Sequence, residues 1–195
     1  MINAIVLAAG ESKRMGKPKP LLPFGTRTFL GQIISVLQEA NVDRITVVLG
    51  AQAETVAEAV DLSGAEVVIN ADYRDGQLSS LIAGLGHTPA ETEAILLCLV
   101  DSPFIKTDTI NQVIATFRAS GAAIVIPTLH GKRGHPSLFA RSMFPQLQNA
   151  PPDEGARHVV YANEDRIVEV ELPDDAIVVG INTPDDYRRH FGIDP

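Results

Sequence analysis

The residues best equipped for chemistry lie near the start of the chain, in Leu7-Ala8-Ala9-Gly10-Glu11-Ser12-Lys13-Arg14-Met15-Gly16, with Lys19 close behind. Ala8, Ala9 and Gly10 are small enough to let a backbone approach a ligand closely, and Lys13, Arg14, Lys17 and Lys19 surround that backbone with positive charge. The combination suits a phosphate-bearing ligand, or it is a plain exposed turn; the residues alone leave both readings open. It is not a Walker A loop, because five residues separate Gly10 from Gly16 where four are required, and Pro18 stands where a magnesium-binding hydroxyl would be. No dinucleotide fingerprint G-x-G-x-x-G is present either. A second candidate is Asp101, directly after the wholly apolar run 94–100. A carboxylate there is costly unless it is solvated, paired or metal-bound, and we read it as a metal ligand.

Other chemistries find little support. The histidines at 87, 130, 135, 158 and 190 form no i,i+4 pair and have no cysteine nearby, so a zinc site is not indicated. A phosphoacceptor role for Asp101 would need acidic metal ligands after the first strand, where Ala8-Ala9-Gly10 offers none. No G-x-S-x-G elbow occurs. The lone Cys98 cannot form an internal disulfide, which suits a reducing cytoplasm. The start MINAIVLAAG lacks a basic leader and is interrupted by charge long before membrane-spanning length, so we expect neither a signal peptide nor a membrane partner.

A net charge of -8 argues against nucleic-acid binding. Positive charge is nevertheless concentrated early: residues 1–38 hold five basic residues and one acid, leaving 11 basic and 23 acidic residues elsewhere. One loop could therefore hold one small polyanion.

The elements that must position these residues alternate. Strands are expected at 4–7, 45–49, 66–69, 94–100 and 123–126, and helices at 29–40, 53–60, 78–85 and 107–120. Non-alternating apolar strands point to a sheet covered on both faces, hence an α/β fold: three layers, doubly wound, with a mainly parallel sheet and a Rossmann-like nucleotide-binding half. Later come a short strand at 137–139, helical turns near 141–147 and 155–163, strands at 167–172 and 176–179, and a last helix at 184–191 capped by Thr183. We expect a single domain over 1–195, in which residues 1–127 bind nucleotide while residues 128–195 bind the acceptor and close the fold.

The first loop resembles a known signature. L-A-A-G-x-S-x-R-M-G, then x-x-K-x-L-L-P, is similar to that of the MobA-like nucleotidyltransferases, and among them the molybdenum cofactor cytidylyltransferases; Leu7 to Gly16, Lys19 and Leu21-Leu22-Pro23 match it. The resemblance implies a fold of the nucleotide-diphospho-sugar transferase type. It also implies that Leu7, Ala8, Ala9 and Gly10 wrap a nucleotide while Arg14 and Lys19 contact its phosphates. Four further segments extend it over nearly the whole chain. Gly76-Gln77-Leu78-Ser79-Ser80-Leu81 is similar to the family's base- and ribose-lining segment, its plainer reading being a serine-capped helix. Asp101-Ser102-Pro103 resembles the family's magnesium-binding Asp-x-Pro, and Asn182 stands where many relatives have a second metal-binding aspartate. Arg133-Gly134-His135-Pro136 looks like the cytidylyltransferases' segment, in which Arg133 and His135 would bind the acceptor's phosphate.

The implied reaction is Mg2+-dependent transfer from CTP to the terminal phosphate of molybdopterin, with Arg14, Lys19 and Asp101 as its catalytic residues. A phosphate nucleophile is already anionic at neutral pH and needs no general base, which fits the scarcity of acid/base pairs. Ala9 points to cytosine, since relatives that use GTP usually carry glycine there. GTP-dependent guanylyl transfer, another phosphate acceptor, and a redox enzyme or non-catalytic binder on the same scaffold remain the alternatives. The implied partners are CTP or GTP, a molybdopterin-type acceptor, and a cofactor-receiving enzyme or chaperone.

Overall fold

A computed structural model describes residues 1–195. β1 (Ile2–Ala8) leads through the cationic loop and a small hairpin, β2 (Pro23–Phe24) and β3 (Arg27–Thr28), into α1 (Phe29–Glu39). The Thr28 hydroxyl starts α1 by accepting the Gly31 N–H at 3.1 Å. β4 (Arg44–Leu49), α2 (Ala53–Ala59), β5 (Glu66–Ile69), α3 (Gln77–Gly86), β6 (Ala94–Leu99) and α4 (Thr107–Ser120) continue the alternation. α4 ends as expected, with Gly121 left-handed at φ 64°. Then follow β7 (Ile124–Leu129), β8 (Lys132–Arg133), β9 (Ser137–Ala140), α5 (Phe144–Gln148), α6 (Ala156–Ala162), β10 (Ile167–Glu171) and α7 (Pro184–Phe191).

The main sheet runs β10-β7-β9-β6-β1-β4-β5, with β8 paired to β7. All pairs are parallel except those of β9, antiparallel to both β6 and β7, and the β7–β8 pair. This is the mainly parallel α/β sheet expected, and its two faces follow from side-chain parity along β1. Ile2, Ala4, Val6 and Ala8 enter one apolar cluster with α1 and α4, whereas Ile5, Leu7 and Ala9 enter a second with α3 and α5. A third cluster joins Met15 and Leu22 to Phe29, Ile181 and Tyr187. The apolar residues of the cationic loop thus anchor it to the body of the fold.

β1 lies between β4 and β6, so the connections turn in opposite directions on its two sides, and a crevice opens at the carboxyl ends of the strands there. Leu7 is level with Leu99 and Ala8 with Leu49, so the loops after β1, β6 and β4 emerge together.

Two expectations are corrected. Residues 176–179 are not a strand: Asp175–Val178 is a 3-10 turn, because the buried Asp174 carboxylate accepts the Ala176 N–H at 3.3 Å and also binds Lys106 and Thr109 at 2.6 and 2.5 Å. The serine-capped start of α3 is not observed either. Gly76 is its N-cap, and the Ser79 hydroxyl turns back to the Asp72 and Gly76 carbonyls, 2.8 Å from each. At the other end of the chain, α7 begins with a reciprocal capping box between Thr183 and Asp186, and Pro184 occupies its first turn.

Candidate functional site

After β1 the chain turns tightly at Ser12, whose carbonyl accepts the N–H groups of Met15 and Gly16 and whose hydroxyl accepts the Lys19 N–H at 3.0 Å. This turn sorts the four cations. Lys13 pairs with Glu11 at 2.7 Å and Lys17 reaches the Pro195 carbonyl, so both are engaged elsewhere. Arg14 and Lys19 converge instead on Asn182 Oδ1, each at 2.9 Å, and Lys19 Nζ lies 3.3 Å from Asp101 Oδ2.

Three backbone N–H groups fix the acidic side of this cluster. The Ile181 N–H donates to the Asp101 carbonyl at 2.8 Å, tying the segment before α7 to the end of β6. The Asn182 and Thr183 N–H groups both donate to Asp186 Oδ2, at 3.1 and 2.9 Å. Asp101 and Asn182 therefore present oxygens to one point, now filled by the Lys19 ammonium. One carboxylate and one amide oxygen are hard donors of the kind magnesium takes. No group of three His, Cys, Asp or Glu side chains gathers anywhere in the chain, so a cation held here would rely on water and substrate phosphates for its remaining ligands, the usual arrangement for magnesium.

Beside the cluster opens a cavity of about 300 Å³, lined by Leu7, Ala9, Gly10, Ser80, Asp101 and Asn182 together with Arg14 and Lys19. Two residues expected there do not line it. The Ala8 methyl is buried on the opposite face of the sheet, and Ser79 is occupied by backbone carbonyls and by Asn70 Nδ2 at 2.9 Å. Asn70 also donates to the Ser80 hydroxyl at 3.0 Å, and so holds the β5–α3 loop against the cavity. Ala9 packs against Gly50, where an added Cβ would come within 2.9 Å of the Ala9 Cβ.

Sequence reasoning missed Ser12, Tyr73 and Gln77 as cavity residues. Ser12 stood inside the matched signature and could have been found. Gln77 likewise lay inside the matched 76–81 segment, whereas Tyr73 carries no local pattern and arrives only through the fold.

A second cavity, of about 640 Å³, adjoins the first, and Leu7, Gly76, Gln77 and Leu99 line both. Arg133 and His135 are on its wall, as is Gly134, where a Cβ would fall 2.3 Å from the Ile177 carbonyl oxygen. The same carbonyl accepts the His135 N–H at 2.8 Å, so the 3-10 turn shapes this wall. Burial pushes the His135 imidazole down from its usual pKa, against an opposing pull from Asp101. The Arg133 guanidinium is held by Glu164 and Glu169 at 2.6 to 2.7 Å, which drives its pKa further up.

With this geometry established, comparison with known proteins is decisive. A family model described as the MobA-like NTP transferase domain matches residues 4–167. The chain belongs to the MobA-like NTP transferase family. It is therefore a nucleotidyltransferase, and enzymes of this family typically use a divalent metal. Among curated relatives, the molybdenum cofactor cytidylyltransferase of Escherichia coli is 32% identical over 95% of this chain and 93% of its own. The nicotine blue oxidoreductase of Paenarthrobacter nicotinovorans is 26% identical over 96% and 95%. Among solved structures, Rv0371c of Mycobacterium tuberculosis is 30% identical, covers 98% of both chains and superposes with a TM-score of 0.86; a further structure of it is a complex with manganese. The MobA-like match takes in the cationic loop, Asp101 and the Arg133-Gly134-His135 segment but stops short of Asn182, which the geometry brings to the site. No helix of this MobA-like chain is long and apolar enough to cross a membrane.

Proposed function

We propose that the chain transfers the cytidylyl group of CTP to the terminal phosphate of a molybdopterin-type acceptor, with Mg2+ as its metal. One observation carries the reading: Arg14, Lys19, Asp101 and Asn182 converge beside two adjoining cavities, one for each substrate. Residues 1–127 supply most of the smaller cavity, which takes CTP, and residues 128–195 supply the far wall of the larger, which takes the acceptor. Together they act as one domain, 1–195.

In the reaction, an oxygen of the acceptor's phosphate attacks the α-phosphorus of CTP, a new P–O bond forms, and the bond to pyrophosphate breaks. The nucleophile is anionic at neutral pH, so alignment and charge neutralisation suffice. Arg14 and Lys19 exchange their bonds to Asn182 for bonds to the triphosphate and stabilise the charge that moves onto the leaving group. Asp101 and Asn182 would hold Mg2+, which when bound neutralises phosphate charge. Gly10 lets the loop approach the phosphates, and Ser80 with Ala9 bounds the nucleoside. The Ala9 methyl favours the smaller base, by a modest factor. The dinucleotide product would pass, in a cytoplasmic setting, to a molybdenum enzyme or its chaperone.

Thermal shifts with CTP, GTP, UTP and ATP in Mg2+, followed by pyrophosphate release with molybdopterin, test the reading. Selective stabilisation and turnover with CTP are expected; turnover with GTP but not CTP, or a flat response to all four, would overturn it. The near-full-length likeness to an oxidoreductase favours one second reading, a redox enzyme on the same scaffold. Oxidation of a reduced nicotinamide or flavin without pyrophosphate formation would select it.

A further inference from the structure

We infer that one face of α6 recognises the acceptor, Arg157 contacting its anionic group and Tyr161 covering its ring. The inference rests on the proposed reaction and names the element that reads the acceptor within it. Three side chains able to carry positive charge line the larger cavity: Arg133, His135 and Arg157. Arg133 is committed to two carboxylates, with all three of its nitrogens engaged. Its Nε bonds Glu169 at 2.7 Å, and its two terminal nitrogens bond the two oxygens of Glu164 at 2.7 and 2.6 Å, so two carboxylates outweigh one guanidinium at that corner. Burial disfavours the charged form of His135. Arg157 is exposed, donates no hydrogen bond within the protein and pairs with no carboxylate. It is the one full positive charge on this wall that forms no ion pair; of the two carboxylates that line the same cavity nearby, Glu154 is paired with His158 and Asp153 bonds no cation.

The helix presents Arg157 in a defined setting. Ala156, Arg157, Val160 and Tyr161 all line the cavity, two adjacent i,i+4 pairs on a single face. Val159 is the only fully buried side chain of α6; Ala156 and Val160 pack partly against the same core, and Arg157 and Tyr161 stay exposed at the cavity. Tyr161 stands one turn beyond Arg157 and is 65% exposed, an unusual state for a large aromatic side chain beside a cavity. Below them the sheet supplies an apolar floor of Leu97, Leu99, Ile126 and Phe139. A free guanidinium and an exposed phenol ring above an apolar floor fit a flat heterocycle carrying an anionic group. An open-chain sugar phosphate would leave that floor uncovered. The sequence segment whose motif resembles the family's acceptor site holds Arg133 and His135, whereas α6 lies more than twenty residues further on and is not included in that motif.

The test uses the full chain and its Arg157→Ala, Arg157→Lys, Tyr161→Ala and Tyr161→Phe variants. Each is assayed at steady state with CTP and molybdopterin, and titrated by fluorescence with a pterin monophosphate that lacks sulfur. Arg157→Ala should raise both the KM for molybdopterin and the Kd for the probe by about tenfold or more, the loss typical of a charge-assisted hydrogen bond. The KM for CTP and the CTP-induced thermal shift should not move. Arg157→Lys should fall between, Tyr161→Ala should weaken probe binding, and Tyr161→Phe should keep it. An Arg157→Ala variant with wild-type acceptor KM and wild-type probe affinity would overturn the inference, as would a wild-type chain that does not bind the probe. If the wild-type chain forms no product from CTP and molybdopterin, the proposed reaction is refuted and the probe titration alone decides: equal affinities sink the role of α6, and a tenfold difference sustains it.

Discussion

Replacing Lys19 with methionine keeps the length of the side chain and removes its charge. The Lys19 ammonium lies 2.9 Å from Asn182 Oδ1 and 3.3 Å from Asp101 Oδ2, on a side chain only 12% exposed. The cost in stability is modest, because Asp101 is 23% exposed and regains water when its partner goes. Losing two hydrogen bonds from a charged donor costs at most about 2 kcal/mol under that screening. For a chain of this size, the melting temperature then falls by no more than about 8 °C. The catalytic cost is larger, since a positioned charge that stabilises a transition state contributes about 3 kcal/mol, a factor of 10² to 10³ in kcat. Pyrophosphate release at saturating CTP and acceptor, on protein whose melting curve shows it to be folded, reads that factor. With the ammonium gone, Asp101 and Asn182 are also free to take a cation, so half-maximal velocity should need less Mg2+. A folded Lys19→Met enzyme with kcat within about threefold of wild type would refute the assignment of Lys19 to the reacting phosphates.

Three further outcomes follow from the same geometry. Asn182→Asp gives the pair with Asp101 a second charged oxygen, so the Mg2+ concentration for half-maximal velocity should fall; an unchanged or higher midpoint would remove Asn182 from the metal site. Gly134→Ala drives a Cβ to 2.3 Å from the Ile177 carbonyl oxygen and should cost about 1 to 3 kcal/mol by overpacking, raising the KM for acceptor more than that for CTP. Asp174 responds to acid: burial alone would push its pKa up, but hydrogen bonds from Lys106, Thr109 and the Ala176 N–H outweigh it and hold the carboxyl below the 3.8 of a free aspartate. The contribution of that network to stability is complete above this value and is lost as pH falls through the depressed pKa, so the melting-temperature gap between wild type and Asp174→Asn should close below about pH 4.

Much of the fold could be read from hydrophobic pattern because the central parallel strands β1, β4 and β6 are buried on both faces, and α1, α4 and α7 carry their own start or stop residues. β9 is different. Ser137-Leu138-Phe139 reads as a strand, yet three apolar-rich residues carry no information about direction, and only the whole sheet shows it antiparallel between β6 and β7. The apolar run at 176–179 failed for a local reason, since Asp174 offers the backbone a hydrogen bond that strand pairing cannot match there. In the site, the cationic loop and Asp101 were visible because glycine, cations and a carboxylate at a strand end are costly without a ligand. Which cations point inward was not visible: Lys13 and Lys17 find their partners at Glu11 and Pro195, while Arg14 and Lys19 meet Asn182, 168 and 163 residues away. Arg133 is hidden in the same way, its partners Glu164 and Glu169 lying 31 and 36 residues on. α6 shows no strong periodicity because it buries a single side chain, so its cavity face emerges only from the packed structure.

The central claim is that the α-phosphorus of CTP is transferred to a phosphate held in the adjoining cavity. Incubating the purified chain with Mg2+, molybdopterin and CTP labelled at the α-phosphorus tests it most directly. The account predicts that the label appears in a cytosine dinucleotide of the acceptor, with one pyrophosphate released for each label transferred, and that Asp101→Ala abolishes both. Label that stays in CTP, while a molybdopterin control enzyme transfers it under the same conditions, would contradict the account.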